Sequence, residues 1–291
     1  MDLCDIRTIK ALLGRHGFRF SKSMGQNFLI EDWVPRDIAD ASGASPDSGV
    51  LEIGPGIGPL TVQLCARAGK VAAVELDRSL LPVLAETMEG FDNFTLIPED
   101  ILKLDIPELV DREFPGLTPL VCANLPYNIT TPVLTALVEA RRFQTITVMI
   151  QREVALRIAA RPGSSDYGAF SVYMQYHTEP EVLFDVPPSC FLPAPKVTSA
   201  VLRCRVRPAP AVSPACGEAF FFRTVRGAFA QRRKTLLNSL SSAFAGQLDK
   251  GQIAAVIAGC GLEETIRGER LGLEEFAALA DGLWHALGNG G

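Results

Sequence analysis

Val50-Leu51-Glu52-Ile53-Gly54-Pro55-Gly56-Ile57-Gly58 decides the fold. A short, largely apolar run ends abruptly in three glycines, and helical spacing takes over at 60–68 until Gly69 closes it. Such a run bounded by turn residues reads as a buried strand, and the glycines let the backbone pass close to a ligand. The nicotinamide fingerprint G-x-G-x-x-G is excluded, because Pro59 stands where its last glycine belongs. The spacing is G-x-G-x-G, with an acid, Glu52, two residues before the first glycine.

The same alternation continues outward. Strands are predicted at 50–53, 70–76, 94–98, 120–123 and 146–151, with helices at 33–41, 60–68, 79–88, 131–140 and 152–160. A final pair of strands is predicted at 171–176 and 199–206. No helix separates that pair, so an antiparallel edge is expected. This pattern predicts an α/β doubly wound, mostly parallel seven-stranded sheet whose site lies at the carboxyl ends of its strands. The N-terminal residues 1–22 read as a basic helix followed by a loop. The segment 22–29 is too mixed for a core segment. Residues 208–214, rich in proline, read as a linker. Beyond them helices are predicted at 220–229, 232–244, 251–258 and 273–287. Two domains follow: a catalytic domain over 1–207 and a small all-helical one over 208–291.

Composition narrows the classes. Hydrophobic residues make up 47% of the 291 and charged residues 21%, as in an ordinary globular chain with a full core. No apolar run is long enough to span a membrane, and the N-terminus lacks a signal-like apolar core, so a cytoplasmic protein is expected. The seven cysteines form no C-x-x-C pair, so neither a metal site nor a disulfide framework is expected. The net charge is −5, but it is unevenly spread. Residues 1–200 hold 17 Lys/Arg against 25 Asp/Glu, and residues 201–291 hold 11 against 8. Basic residues also gather at Arg7, Lys10, Arg15, Arg19 and Lys22. Local patches decide phosphate binding, and the alternative is a solvated surface.

Four successive predicted strands end in Gly54, Glu75, Asp100 and Asn124. The glycine turn, with Gly54 and Gly56, resembles that of S-adenosylmethionine (SAM) methyltransferases. Glu75, 21 residues after Gly54, is placed to accept hydrogen bonds from both hydroxyls of a ribose. Asp100 could accept from the exocyclic amine of the donor's adenine. Asn124-Leu125-Pro126-Tyr127 offers an amide, a carbonyl and an aromatic ring at one point. These suit a planar amine: Asn124 and the Leu125 carbonyl accept its N–H bonds, and Tyr127 stacks on its base. Accepting those bonds localises a lone pair otherwise delocalised into the ring, and positioning supplies most of the catalysis. A base in a duplex cannot reach such a pocket, so the target must be flipped out or unpaired. Phe191 is a candidate second stacking face, or else a buried loop residue. In the helical part, Gln231-Arg232-Arg233-Lys234 is predicted to open a helix, with Arg226 one heptad before Arg233 and Arg223 nearby. Arg226, Arg232, Arg233 and Lys234 are the candidate RNA phosphate contacts; the alternative is a solvated helix face.

Taken together, the chain resembles the small-subunit ribosomal RNA adenine dimethyltransferases. The resemblance runs from Gly25-Gln26-Asn27-Phe28-Leu29 through the glycine turn, Glu75-Leu76-Asp77, Asn124-Leu125-Pro126-Tyr127-Asn128-Ile129, Gln151-Arg152-Glu153-Val154-Ala155, Tyr167-Gly168 and Pro195-Lys196-Val197 to Gln231-Arg232-Arg233-Lys234-Thr235-Leu236. It implies a Rossmann-like SAM-dependent methyltransferase fold with a helical C-terminal domain. The implied activity is transfer of two methyl groups to N6 of each of two adjacent adenines near the 3′ end of 16S rRNA, in the small (30S) subunit or its precursor. It implies SAM binding by Asn27, Leu29, Gly54, Glu75, Asp100 and Asn124, and a monomer without membrane contacts. Asn27 and Leu29 receive a role by resemblance alone. Thr198 stands where the family usually has Asp. Rival readings are a large-subunit rRNA adenine methyltransferase, a non-catalytic RNA-binding factor of the same fold, and a methyltransferase acting on a protein side-chain amide. Leu125 argues against the last, which would usually carry Pro there.

Overall fold

A computed structural model describes residues 1–18 and 27–289. Arg19, Lys22, Met24, Gly25 and Gln26 lie outside the described residues. The strands, in chain order, are β1 (Phe28–Leu29), β2 (Ser48–Ile53), β3 (Lys70–Val74), β4 (Phe94–Ile97), β5 (Thr118–Asn124), β6 (Thr145–Gln151), β7 (Thr178–Val186), β8 (Phe191–Leu192) and β9 (Ser199–Val206). The helices are α1 (Ile6–Arg15), α2 (Trp33–Ala41), α3 (Pro59–Cys65), α4 (Leu81–Thr87), α5 (Ile106–Glu113), α6 (Thr130–Glu139), α7 (Arg152–Ala159), α8 (Ala169–His177), α9 (Glu218–Phe229), α10 (Leu236–Ala243), α11 (Lys250–Gly259) and α12 (Leu273–Ala286). None of the described helices is long and apolar enough to cross a membrane.

Seven strands form one sheet in the order β4-β3-β2-β5-β6-β9-β7. The pairs β4–β3, β3–β2, β2–β5 and β5–β6 are parallel, and β6–β9 is antiparallel. The chain leaves β2 toward β3 on one side and returns to β5 on the other. The β2/β5 boundary is therefore where the winding reverses, and a crevice opens there beyond the strand ends. β2 is buried along all six residues because helices cover both faces of a parallel sheet. On one face Val50, Val71, Leu120, Cys122, Met149 and Val201 meet Val34 and Ile38 of α2 and Leu60 and Leu64 of α3.

α1 packs at the rim of this unit. Asp5 caps it, its Oδ2 accepting from the Thr8 N–H at 2.9 Å. Ile9, Leu12 and Leu13, on one helical face, are buried against Phe28, Ile57, Leu80 and Val83. Arg15 and His16 both reach Glu86. The apolar face decides the docking: full burial of such side chains contributes roughly 1.5–3 kcal/mol each, against about 0–1 kcal/mol for a surface ion pair.

Contacts divide the chain into two units that interleave along the sequence. One holds Met1–Ala155 and Pro180–Val206, and the other Leu156–Glu179 and Arg207–Gly291. Residues 156–177, with the first two residues of β7, thus group with the C-terminal helices, whereas a simple break after 207 is expected from the sequence. The helical unit has its own core, built on Phe220, Phe221 and Phe222 of α9 with Tyr167, Tyr176, Phe244 and Phe276. Three consecutive buried aromatics need partners on every side, which α8, α10 and α12 supply.

Three expectations are corrected. The strand expected at 171–176 is helix α8, and the strand follows it as β7. The residue types there favour a strand, but Ser171 Oγ accepts from the Gly168 N–H at 3.0 Å and donates to the Arg157 carbonyl, closing a first helical turn. The helix expected at 232–244 begins only at Leu236, because Thr235 caps it and 231–234 form a turn closed by Lys234 N–H to Gln231 O at 2.9 Å. Helix α5 was not expected. Its signal was Asp105-Ile106-Pro107-Glu108, in which Asp105 Oδ1 accepts from the Glu108 N–H at 2.9 Å and Pro107 sits in the first turn.

Two consequences for stability follow from β2. A side chain at Gly49 would overlap the buried ring of Phe114 just past α5. Gly49→Ala is therefore expected to cost about 1–3 kcal/mol through overpacking, read as a lower urea midpoint at unchanged slope. Glu52 is 1% exposed, and its Oε2 has no hydrogen-bond partner. Burial, with the nearby charge of Glu75 adding to it, pushes its carboxyl from the ordinary 4.5 up to about 8. Between those values the folded chain holds more protons than the unfolded one, so stability falls as pH rises through this window. Glu52→Gln should remove that fall and gain on the wild type by on the order of 1–4 kcal/mol from pH 5 to pH 8. Urea unfolding at both pH values checks it; parallel curves for the two proteins would contradict it.

Candidate active site

The cleft lies where β2, β3, β4 and β5 end together. Its wall includes Asn27, Leu29, Gly54, Gly56, Glu75, Asp100, Asn124, Leu125, Tyr127 and Phe191, and the space between them, counted out into open solvent, is about 1170 Å³. Every catalytic and donor-binding residue expected from the sequence is brought to this one place. Gly54 and Gly56 turn the chain with φ of +68° and +64°. A Cβ at Gly56 would make only ordinary contact with Phe28, so it is the backbone conformation, not space, that requires glycine. Phe28 and Leu29 are buried although their segment is too mixed to read as core. The reason is nonlocal: β1 pairs with β8, setting Leu29 opposite Phe191.

The wall carries the carboxyl groups of Glu52, Glu75, Asp77, Glu99 and Asp100, of which that of buried Glu52 keeps its proton up to about pH 8, and none of the Lys, Arg or His among the described residues. Glu75 is 7% exposed; its Oε1 accepts from the Asp77 N–H at 2.8 Å and its Oε2 from the Gly56 N–H at 3.3 Å. Burial raises its pKa, and these two backbone bonds pull it back. Each oxygen keeps a second lone pair, which suits acceptance from two neighbouring hydroxyls. Asp100 uses Oδ1 to cap a 3-10 turn through the Leu102 N–H at 3.0 Å. The sequence resemblance implies SAM as donor, and this wall fits it. SAM carries a sulfonium, an ammonium and a ribose but no phosphate, so an acidic, cation-free lining favours it and disfavours a dinucleotide.

Asn124 is the last residue of β5, and the next N–H, of Leu125, donates to the Met149 carbonyl at 3.1 Å. The strand is thus held to its final residue, and Pro126 then forces the turn. The Pro126 carbonyl accepts from Ile129 N–H and from Thr130 Oγ1, each at 3.2 Å. Tyr127 follows on a 3-10 turn, half-buried, with its hydroxyl 2.7 Å from Ser199 Oγ. Burial raises the phenol pKa further, so the ring is neutral. Ser199 was not among the expected residues; its signal was a hydroxyl at the start of a strand whose next three residues, Ala200, Val201 and Leu202, are apolar. Phe191 is 3% exposed and packed into the core with Leu29 and Val186. It is a wall of the cleft here, not an open stacking face.

In the helical unit, the expected alignment of basic residues does not form. Arg226 lies on α9, exposed, whereas Arg232, Arg233 and Lys234 lie exposed on the turn before α10. Arg226 and Arg233 therefore share no helix face. Arg232 donates to the carbonyls of Ser165 and Tyr167 at 2.7 and 3.0 Å. Arg223 is held with its guanidinium 4.5 Å from the Phe244 ring centre and bonded to Gln247.

Comparison with known proteins agrees with this site. A family model described as ribosomal RNA adenine dimethylase matches residues 17–267. A ribosomal RNA small subunit methyltransferase A from Geobacillus sp. (strain WCH70) is 46% identical, over 98% of this chain and 99% of that protein. Another of that name, from Alkaliphilus oremlandii, is 44% identical over 94% of this chain and 95% of that protein. Among solved structures, a dimethyladenosine transferase from Plasmodium falciparum superposes with a TM-score of 0.69 at 25% identity, covering 86% of this chain and 95% of that one. The 23S rRNA methyltransferase ErmE gives a TM-score of 0.67 at 28% identity, covering 88% and 99%. The sheet is thus the Rossmann-like methyltransferase fold. With the glycine turn, the acidic wall and Asn124–Tyr127 in one cleft, the chain belongs to the ribosomal RNA adenine dimethylase family.

Proposed function

We propose that this chain uses SAM to dimethylate N6 of two adjacent adenines in a loop near the 3′ end of 16S rRNA, on the small ribosomal subunit or its precursor. The observation that carries this reading is the turn Asn124–Tyr127 beside a cation-free, acidic cleft. SAM supplies an electrophilic methyl on a positively charged sulfur. Gly54 and Gly56 bring the backbone close to it, Glu75 accepts from its ribose, and Asn27, Leu29 and Asp100 complete the pocket. Asn124 Oδ1 and the Leu125 carbonyl accept the two N–H bonds of N6 and turn its lone pair toward the methyl. Tyr127 covers the base, and Phe191 backs the wall. No strong base is required, because the amine proton becomes acidic as the methyl arrives and leaves to water. On this reading the chain acts as a monomer in the cytoplasm, where its substrate is.

Exposed Arg226, Arg233 and Lys234 serve as phosphate contacts, while Arg232 shapes the turn that presents two of them. Phosphate contacts fix position and make binding salt-dependent.

Three measurements test this. Labelled SAM and unmethylated small subunits, followed by nuclease mapping, should yield dimethyladenosine at adjacent 16S positions; label in 23S rRNA alone would reassign the substrate. Asn124→Ala should lower that transfer at least about a hundredfold, since it removes the group that orients the lone pair, while SAM still binds; dimethylation at the wild-type rate would contradict the pocket. Arg233→Ala with Lys234→Ala should weaken subunit binding and flatten its log–log salt slope by about 1–2; an unchanged slope would leave these residues as solvated surface.

A further inference from the structure

Tyr127 is held at both ends. Its backbone is fixed by the two bonds to the Pro126 carbonyl, and its hydroxyl meets Ser199 Oγ at 2.7 Å. Ser199 is the first residue of β9 and fully buried. It stands opposite Gln151 in the antiparallel β6–β9 ladder, and the Thr198 carbonyl before it accepts from the Arg152 N–H at 3.0 Å. The anchor therefore belongs to the sheet and not to a loop. Without it, a tyrosine on a short turn can swing about its first side-chain torsion. With it, that swing is stopped and the place of the ring is set by a neighbouring strand.

We infer that Ser199 is a positioning residue, which fixes the direction in which the Tyr127 side chain extends and matters most for the second methyl transfer to each adenine. This rests on the function proposed above. In the first transfer N6 offers two N–H bonds, and both Asn124 and the Leu125 carbonyl can orient it. In the second, N6 already bears a methyl and offers one N–H, so only one acceptor can grip it. An N6–carbon bond then forms, the sulfur–carbon bond breaks with its electron pair on sulfur, and the last N6 proton leaves to water. With half of the polar grip gone, the place of the stacking ring carries more of the alignment. The Tyr127–Ser199 bond is thus a device for completing dimethylation.

The test uses the full chain with SAM and unmethylated small subunits, and follows N6-methyladenosine and N6,N6-dimethyladenosine over time by mass spectrometry. Ser199→Ala and Tyr127→Phe remove the same bond from opposite sides. Each should slow the second transfer about tenfold and the first by no more than about threefold, as loss of one hydrogen bond allows. Monomethyl product should accumulate, and KM for SAM should stay at its wild-type value. The double variant should be no slower than either single one, and Ser199→Thr, which keeps the hydroxyl, should restore the wild-type ratio. Equal slowing of both transfers, additive losses, or an unchanged product ratio would overturn the inference. Should Ser199→Ala fail to fold, Tyr127→Phe decides alone, since its ring stays in place. A wild-type chain that forms no methylated adenine overturns the proposed function itself, which separates the two failures.

Discussion

Everything at the site depends on one topological constraint: parallel strands must all end on the same edge of the sheet. Because β3 and β5 flank β2 on opposite sides, the connections after β2 and β5 diverge and leave a crevice between them. Gly54 and Asn124 are the residues at those two exits. Their neighbours Glu75 and Asp100 follow β3 and β4 for the same reason. Residues far apart in sequence meet here because each lies at, or a few residues past, the end of a parallel strand.

Charge then divides the work. The cleft wall is acidic and free of cations among the described residues, which selects a positively charged donor. The exposed basic turn sits in the helical unit, where phosphate can be met. A net charge of −5 averages over these two opposite surfaces and hides both. Burial adds a third electrostatic element at Glu52, whose lone oxygen and raised pKa are costs borne inside the sheet beside the glycine turn.

Much of this was legible in the sequence because it is local. The glycine spacing, the acids at strand ends and the tetrapeptide at 124–127 each depend on a few adjacent residues, and the structure gathers them as expected. What escaped was decided by distant contacts or by hidden caps. Ser171-Val172-Tyr173-Met174-Gln175-Tyr176 has strand-forming residue types, yet Ser171 bonds to Gly168 and Arg157 and makes it a helix. Arg232 reads as a free surface cation, yet its guanidinium binds carbonyls 65 and 67 residues earlier. Phe28 and Leu29 read as too mixed for core, and only the pairing with β8 explains their burial. The helix α5 was an avoidable miss, since its capping residues are adjacent in sequence.

The pairing of Leu29 with Phe191 also orders events in time. A nascent chain has all four motif-bearing strands once residue 124 has emerged, but the wall that Phe191 and Leu29 make together needs residue 192. β9, which supplies the partner of the Tyr127 hydroxyl, comes later still. The wall of the cofactor pocket thus needs residue 192, and the sheet needs β9 after it. The described cleft, with the partner of Tyr127, thus draws on more than the first two-thirds of the chain.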